Sequence, residues 1–444
     1  MPQRTLHSTA LASRVAHLLV WRPYLWEVQV AEAATGGGAR SGVDQTAVRR
    51  TNLARVLEEV RRGEVVSRAD IAGRTTLTKA TVSSLASELL DRGLIRETGL
   101  RRDGAVGRPG RSLELDGGGI TALGLEINSQ YLAARGTDLA GRVIVERRLS
   151  FDAMRSHPET TLDRLAGLAR EAVTELSGTG SSFLAGIAVA VPGLVDAETG
   201  CVRYAPNLEW RSVPIAEALR ARLGSDAPIV VDNEANLSAL AELHAMSQPA
   251  ADLVYLTGEV GVGAGLITGG RLLRGSGGFS GEIGHIPVDL DGQPCGCGQR
   301  GCLETKIGLP AVLRTAAPDL VDREADPQDQ AHALRQRAED GAPEAVAGFD
   351  EVGRWLGIGV SVLVNLLNPD VVVLGGYLGT VAPYLVPAAM RELRPRAVAG
   401  DAAVCRITAS TYGFSAAVRG ASSIVIEEIF RDPLRIPAAE KLTG

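Results

Sequence analysis

Three of the chain's five cysteines, Cys295, Cys297 and Cys302, fall within eight residues, and His285 stands ten positions before the first of them. Thiolates and imidazole are the side chains that hold first-row transition metals. Five cysteines, an odd number with three clustered, do not make a disulfide framework, and in a chain read as cytoplasmic such clustering points to a metal. A second group with chemistry to offer lies far upstream. Lys79, Thr81, Ser83 and Ser84 combine short donors with one cation, a surface suited to base edges and phosphates.

What must position these groups begins with length. At 444 residues the chain exceeds one ordinary core, so two or three domains are expected. Hydrophobic residues make up 45% and charged residues 22%, a globular composition that argues against wholesale disorder. No window approaches the roughly 18 uninterrupted apolar residues of a membrane span. The N-terminal "VAHLLVWRPYLW" is broken by Arg22 and Pro23 and lacks a small-residue cleavage site, so the expected location is the cytoplasm, with no membrane partner. Charge is uneven: residues 1–118 hold 18 Lys+Arg against 13 Asp+Glu, a net of +5, which leaves 28 against 39 and a net of -11 for the remainder. A basic head on an acidic body suits nucleic-acid binding by the head alone.

Residues 1–46, which contain the flexible run "TGGGARSG", form a leader expected to be disordered. From Thr51 the residues Leu53, Val56, Leu57 and Val60 recur at helical spacing. Ser67 with Asp70 makes a capping-box start, Gly73 punctuates, and Thr78 caps a second helix carrying Val82, Leu85, Leu89 and Leu90 on one face. The pattern is helix, turn, helix, with Thr78, Lys79, Thr81, Ser83 and Ser84 at the start of the second helix. "LIRETGLRRDGAVGRPGRSLEL" then predicts two short strands around a loop rich in Gly and Arg, a wing bearing Arg101, Arg102, Arg108 and Arg111. Residues 47–118 are thus expected to form a winged helix-turn-helix that binds DNA. Beyond them "ITALGLEI", "LAARGTDL" and "RVIVERRLS" predict an antiparallel meander with turns at Asn128-Ser129 and Ala140-Gly141. Helices and strands then alternate, among them "LAGIAVAV", "PIVVDN", the pair "DLVYLTG" and "AGLITGGRLL", and "DVVVLGG", before a last helix at about 416–430. Strands, then alternation, then the same again suggest two related α/β lobes with a cleft between them.

These residues resemble the ROK proteins, a family of repressors, open reading frames and sugar kinases. The most specific mark is "GEIGHIPV" followed by "CGCGQRGCLE"; "VPGLVD", "APNLEW", "VDNEAN", "GEVGVGAG", "LLNPDVVVLGG" and "SAAVRGA" support it. The resemblance covers about 120–430, and the added head makes it the repressor branch. It implies an actin-like ATPase fold for residues 119–444, with a zinc loop at 285–302, and assembly as a homodimer or higher oligomer on a palindromic operator. His285, Cys295, Cys297 and Cys302 give one nitrogen and three sulfurs, which matches closed tetrahedral Zn²⁺ with no place for an activated water, a structural site. The family's sugar contacts fall on Asn207, Asn233, Glu282, His285 and Glu304, with Glu234 in the place of the base. Cys201 and Cys405 are expected to be ordinary buried thiols.

Family kinases carry D-x-G-G-T after the first strand, where this chain reads "LEINSQY", with Glu126 for the Asp and Asn128 and Ser129 in the glycines' turn. The second phosphate loop keeps Gly258, Gly261, Gly263 and Gly265, a weak signal because a tight hairpin also needs glycine. The kinases' E-N-D-x-N reads Asp232-Asn233-Glu234-Ala235-Asn236 here, and a base displaced by about 1 Å can lose on the order of 10²-fold in rate. The expectation is a DNA-binding repressor of carbohydrate metabolism that senses a sugar in a degenerate kinase body, with no catalytic residue and without ATP as a cofactor. The alternatives are an ATP-dependent, glucokinase-like sugar kinase with a regulatory head, and a metal sensor built on the zinc loop.

Overall fold

The computed structural model describes residues 45–63, 66–100, 111–178, 183–246, 250–321, 325–400 and 405–438; the rest of the expected leader and Arg101, Arg102 and Arg108 lie outside them. The apolar stripe of Leu53, Val56, Leu57 and Val60 builds α1 (Gln45–Arg61), which starts two residues inside the expected leader. β1 (Val66–Ser67) feeds α2 (Arg68–Thr75), where Ser67 and Asp70 satisfy each other's backbone amides in a capping box. Gly73 does not punctuate as expected: it lies inside α2, and the turn is made at Thr76, whose φ of 61° is left-handed. Thr78 then caps α3 (Lys79–Asp91), which buries Val82, Leu85, Ala86 and Leu89. β2 (Ile95–Leu100) and β3 (Arg111–Leu115) pair antiparallel across the expected wing, and β3 also takes β1, too short to be read from the sequence.

The body opens with the meander of β4 (Ile120–Ile127), β5 (Tyr131–Asp138) and β6 (Val143–Ser150). α4 (Pro158–Ser177) and β7 (Phe183–Val191) follow, then a small antiparallel sheet of β8 (Leu194–Asp196), β9 (Cys201–Ala205) and β10 (Trp210–Val213) that the sequence pattern did not show. α5 (Ile215–Leu223), β11 (Ile229–Asn233) and α6 (Glu234–Ala245) complete a sheet of order β11-β7-β4-β5-β6. The second lobe repeats this plan with β12 (Leu253–Gly258), β13 (Val262–Thr268) and β14 (Arg271–Leu272). "AGLITGGRLL", expected as one strand, is two, because Gly269 and Gly270 both take positive φ and turn the chain. α7 (Glu304–Ile307), α8 (Leu309–Ala316), α9 (Pro327–Glu339) and α10 (Pro343–Leu367) precede β15 (Val371–Gly375). α11 (Gly376–Thr380), α12 (Ala382–Arg396) and β16 (Arg406–Ala409) complete the second sheet, of order β14-β13-β12-β15-β16. In each sheet an antiparallel hairpin comes first and two parallel strands are added beyond its first strand, so the lobes match strand for strand.

α13 (Ala416–Arg431) crosses back to the first lobe and packs on β4 and α6. Close approach demands glycine twice. A Cβ on Gly124 would sit 2.5 Å from the Ser422 amide, and one on Gly420 would run into the Leu237 carbonyl. The far end of α13 carries the head: Glu427 receives both ends of the Arg61 guanidinium, which also lies 4.4 Å over the Phe430 ring. A single apolar core runs from Leu53 and Val82 in the head to Ala188, Ile424 and Phe430 in the body. Burial of this continuous kind makes the head a fixed part of the body's surface. No described helix is long and apolar enough to cross a membrane. Cys405 is buried as expected, whereas Cys201 is only half-buried.

Candidate functional site: the interlobe cleft and its metal loop

Asn207, Asn233, Glu234, Glu282, His285 and Glu304 come from four stretches of the chain and line one cavity between the lobes. Asn207 stands in a single 3-10 turn, Pro206–Leu208, after β9. Gly261, at the tip between β12 and β13, has no room for a side chain, because a Cβ would collide with the Asn207 amide and sit 2.9 Å from Glu304 Oε2. That absence lets Glu304 Oε2 accept from the Val262 amide at 3.0 Å. Asn233 is partly committed within the protein: its Oδ1 caps α6 by accepting from the Ala235 and Asn236 amides, and its Nδ2 donates to the Gly193 carbonyl at 3.0 Å. One amide hydrogen of Asn233 remains for a ligand. Among the described residues lining the cavity there is no lysine or arginine, while Glu234, Glu259, Glu282 and Glu304 all contribute carboxyls.

Crowded carboxyls in a buried place cannot all ionise. Burial pushes Glu234 well above the usual carboxylate range, and Glu282, Glu259 and Glu126 add to the rise; its Oε2 has no hydrogen-bond partner. Glu259 is pushed up to about 8 by burial and by Glu126, against the pull of its bond from Asn128 and of Arg148. Burial likewise brings Glu126 to about 7, although Tyr131 and Arg148 hold it down. The two hairpin tips are bonded to each other: Asn128 Nδ2 donates to Glu259 Oε2 at 2.7 Å. Arg148, 3.5 Å over the Tyr131 ring, reaches across to Asp326 at 2.9 Å. A further tie between the lobes, Arg274 to the buried Asp232 at 3.0 and 2.5 Å, anchors the start of α6. Glu259, Arg148 and Arg274 are not among the residues expected from the sequence; a carboxyl beside retained glycines was the available signal for the first. Of the four glycines read as a phosphate loop, Gly258 and Gly265 have packing reasons, against Leu378 and Tyr377 and against the Ala235 carbonyl respectively.

The four predicted metal ligands converge. The donor atoms of His285, Cys295, Cys297 and Cys302 all lie within 4.8 Å of one another. Cys297 and Cys302 Sγ are 3.7 Å apart and Cys295 Sγ is 3.6 Å from His285 Nδ1. A tetrahedron with metal–sulfur bonds of about 2.3 Å has edges of roughly 3.7 Å, so the set fits a four-coordinate ion. Burial pushes the Cys295 thiol up to about 12, so its thiolate is stable near neutral pH only beside a cation. Gly301 permits the fold of the loop, since its φ is 65° and any side chain would strike the Asp289 carbonyl. Lys306 pins Asp289 at 2.6 Å and lies 4.7 Å over the Trp355 ring. His285 turns Nδ1 to the sulfurs, and its Nε2 is 3.9 Å from Glu282 on the cleft side.

In the head, Thr78, Lys79, Ser83 and Ser84 are exposed at the start of α3, with Thr81 half-buried. Thr78 and Thr81 bond each other's hydroxyls at 2.8 Å, which fixes both rotamers. Arg111 is exposed on β3 but bonded to Glu97, which also takes Arg68.

The sequence profile of the ROK family matches residues 122–428. The xylose repressor of Caldicellulosiruptor bescii is 29% identical over 88% of this chain and 99% of its own length. The glucokinase of Streptomyces coelicolor is 28% identical over 98% of its own length but covers only 70% of this chain. Among solved structures, a ROK family transcriptional regulator homologous to the Escherichia coli MLC protein superposes with a TM-score of 0.73 at 25% identity, over 89% of this chain and all of its own. With that match across both lobes and the metal loop, the chain belongs to the ROK family.

Proposed function

We propose that this chain is a sugar-responsive transcriptional repressor whose ROK body binds a neutral aldose without phosphorylating it. The observation that carries this reading is the bond from Asn128 to Glu259, which joins the two hairpin tips where a kinase must pass nucleotide phosphates. Glu234 points the same way. A general base must be ionised, whereas burial raises this carboxyl well above the usual carboxylate range and favours the protonated form, which donates a hydrogen bond to a sugar oxygen. A cleft with several carboxyls and, among the described residues, no lysine or arginine on its walls repels a sugar phosphate and suits an uncharged polyol, whose hydroxyls meet Asn207, Asn233, Glu282, His285 and Glu304. The relatives matched over nearly the whole chain are regulators such as the xylose repressor, which makes xylose the first sugar to try.

Zinc fits the metal loop, held by His285 Nδ1 and the three thiolates, where it supplies structure and orients the imidazole toward the sugar. Residues 47–118 are read as a winged helix-turn-helix, with α3 in the major groove and the wing arginines Arg101, Arg102, Arg108 and Arg111 toward the backbone or minor groove. The chain acts in the cytoplasm as a homodimer on a two-fold operator. Coupled-assay turnover with ATP and a panel of pentoses and hexoses tests the reading: no ADP above background is expected, and turnover near the roughly 1 to 100 per second of kinases would replace it with the kinase alternative.

A further inference from the structure

A second cavity lies where α1 meets β5 and α13, away from the sugar cleft, and three guanidiniums face it: those of Arg61, Arg135 and Arg419. Arg61 is already paired with Glu427. The other two share one counter-ion, because Glu146 lies 2.8 Å from Arg135 Nη1 and 3.7 Å from Arg419. Arg135 is only 5% exposed, and despite that short approach its Nη1 makes no directed hydrogen bond, so its N–H vectors run past the carboxylate. Burial and the neighbouring Arg419 draw Arg135 below the ordinary guanidinium value, with Glu146 and Tyr412 opposing the fall. A buried cation left short of anions and acceptors is costly. Hydroxyls of Tyr412 and Ser423 and the imidazole of His244 stand in the same walls.

We propose that this cavity binds a phosphate group, either free or as a phosphomonoester, in the forks of Arg135 and Arg419. Planar guanidinium forks match phosphate oxygens two at a time, and a dianion supplies the charge that Glu146 alone does not. The site borders the Arg61–Glu427 pair that ties the head to α13, so a bound phosphate sits beside Glu427 and competes with it for Arg61. Occupancy would therefore loosen the joint between head and body. The claim concerns binding at this joint, and its failure leaves the reading of the cleft intact.

Calorimetric titration of the full chain with inorganic phosphate, and separately with glucose 6-phosphate, tests it. One saturable site per chain is expected, weakened roughly tenfold or more by Arg135→Gln through loss of a charge-assisted bond, with neutral-sugar binding unchanged. Ser423→Asp, which adds a carboxylate to the wall and removes no ion pair, should abolish phosphate binding and decides the matter if Arg135→Gln does not fold. Binding of both probes assigns the phosphate group itself as the ligand, and binding of the ester alone assigns a phosphorylated metabolite. Uptake of neither probe by the wild type, or unchanged uptake by Ser423→Asp, overturns the proposal.

Discussion

Glu282 and Glu234 are both carboxyls on the cleft wall, yet their surroundings give them opposite roles. Burial and Glu304 raise Glu282 above the usual carboxylate range while His285 opposes the rise, but with 41% of its side chain exposed it is the better placed of the two to accept from a hydroxyl as a carboxylate. Glu282→Gln should therefore cost about 1.5 to 3 kcal/mol of sugar affinity, the range for a hydrogen bond to a charged group. Burial raises Glu234 well above the usual carboxylate range and favours its protonated form, so Glu234→Gln, which keeps a donor and an acceptor, should stay within about 1 kcal/mol of wild type. Calorimetric titration with the responsive sugar compares the two. Glu259 offers a test by pH. Its value in the folded chain, about 8, lies above its ordinary 4.5, so folding takes up a proton. The stability it contributes is complete below about pH 4.5 and is lost as pH rises through about 8. Thermal melts should thus show a smaller difference between about pH 6 and pH 8 for Glu259→Gln than for the wild type; an equal or larger difference would mean that this carboxyl titrates normally.

At the scale of elements, the metal loop is a segment without a core of its own, tied down by four ligands and the Lys306–Asp289 pair. Structural zinc contributes folding free energy directly. Cys297→Ser should reduce bound zinc well below one ion per chain by elemental analysis and weaken the sugar response, because the loop also aims His285. Retention of a full ion would show that the thiolate is not a ligand. This loop was legible in the sequence because its ligands lie within 18 residues, and so were the head helices and the meander, whose patterns repeat over one or two turns or strands. β1, β8 and β14 were not, at two or three residues each, which is too short for any period to register. The turn at Thr76 was hidden because a β-branched residue rarely takes a left-handed conformation. The cleft's membership could be listed residue by residue, but its closure could not. The bond from Asn128 to Glu259 joins positions 131 apart, and the Arg274–Asp232 pair joins positions 42 apart, which no local pattern encodes.

Across the whole molecule, the ligand cleft and the head are joined by two helices. The cleft-lining Asn233 and Glu234 stand at the start of α6, whose buried Glu242 accepts from the Thr411 and Tyr412 amides just ahead of α13. α13 then runs past Gly420, pressed against α6, to Glu427 and Phe430 at the head. A shift of α6 on closure of the cleft therefore reaches α1 through packed backbone rather than through a flexible linker. The most direct measurement is the affinity of the full, zinc-loaded chain for DNA it has selected from a random-sequence pool, with and without a neutral sugar and with no nucleotide present. A sugar that binds the cleft should change that affinity by roughly fivefold or more, the usual scale of coupling between sites. An affinity that stays the same with every sugar the cleft binds, or a chain that selects no DNA, would contradict it.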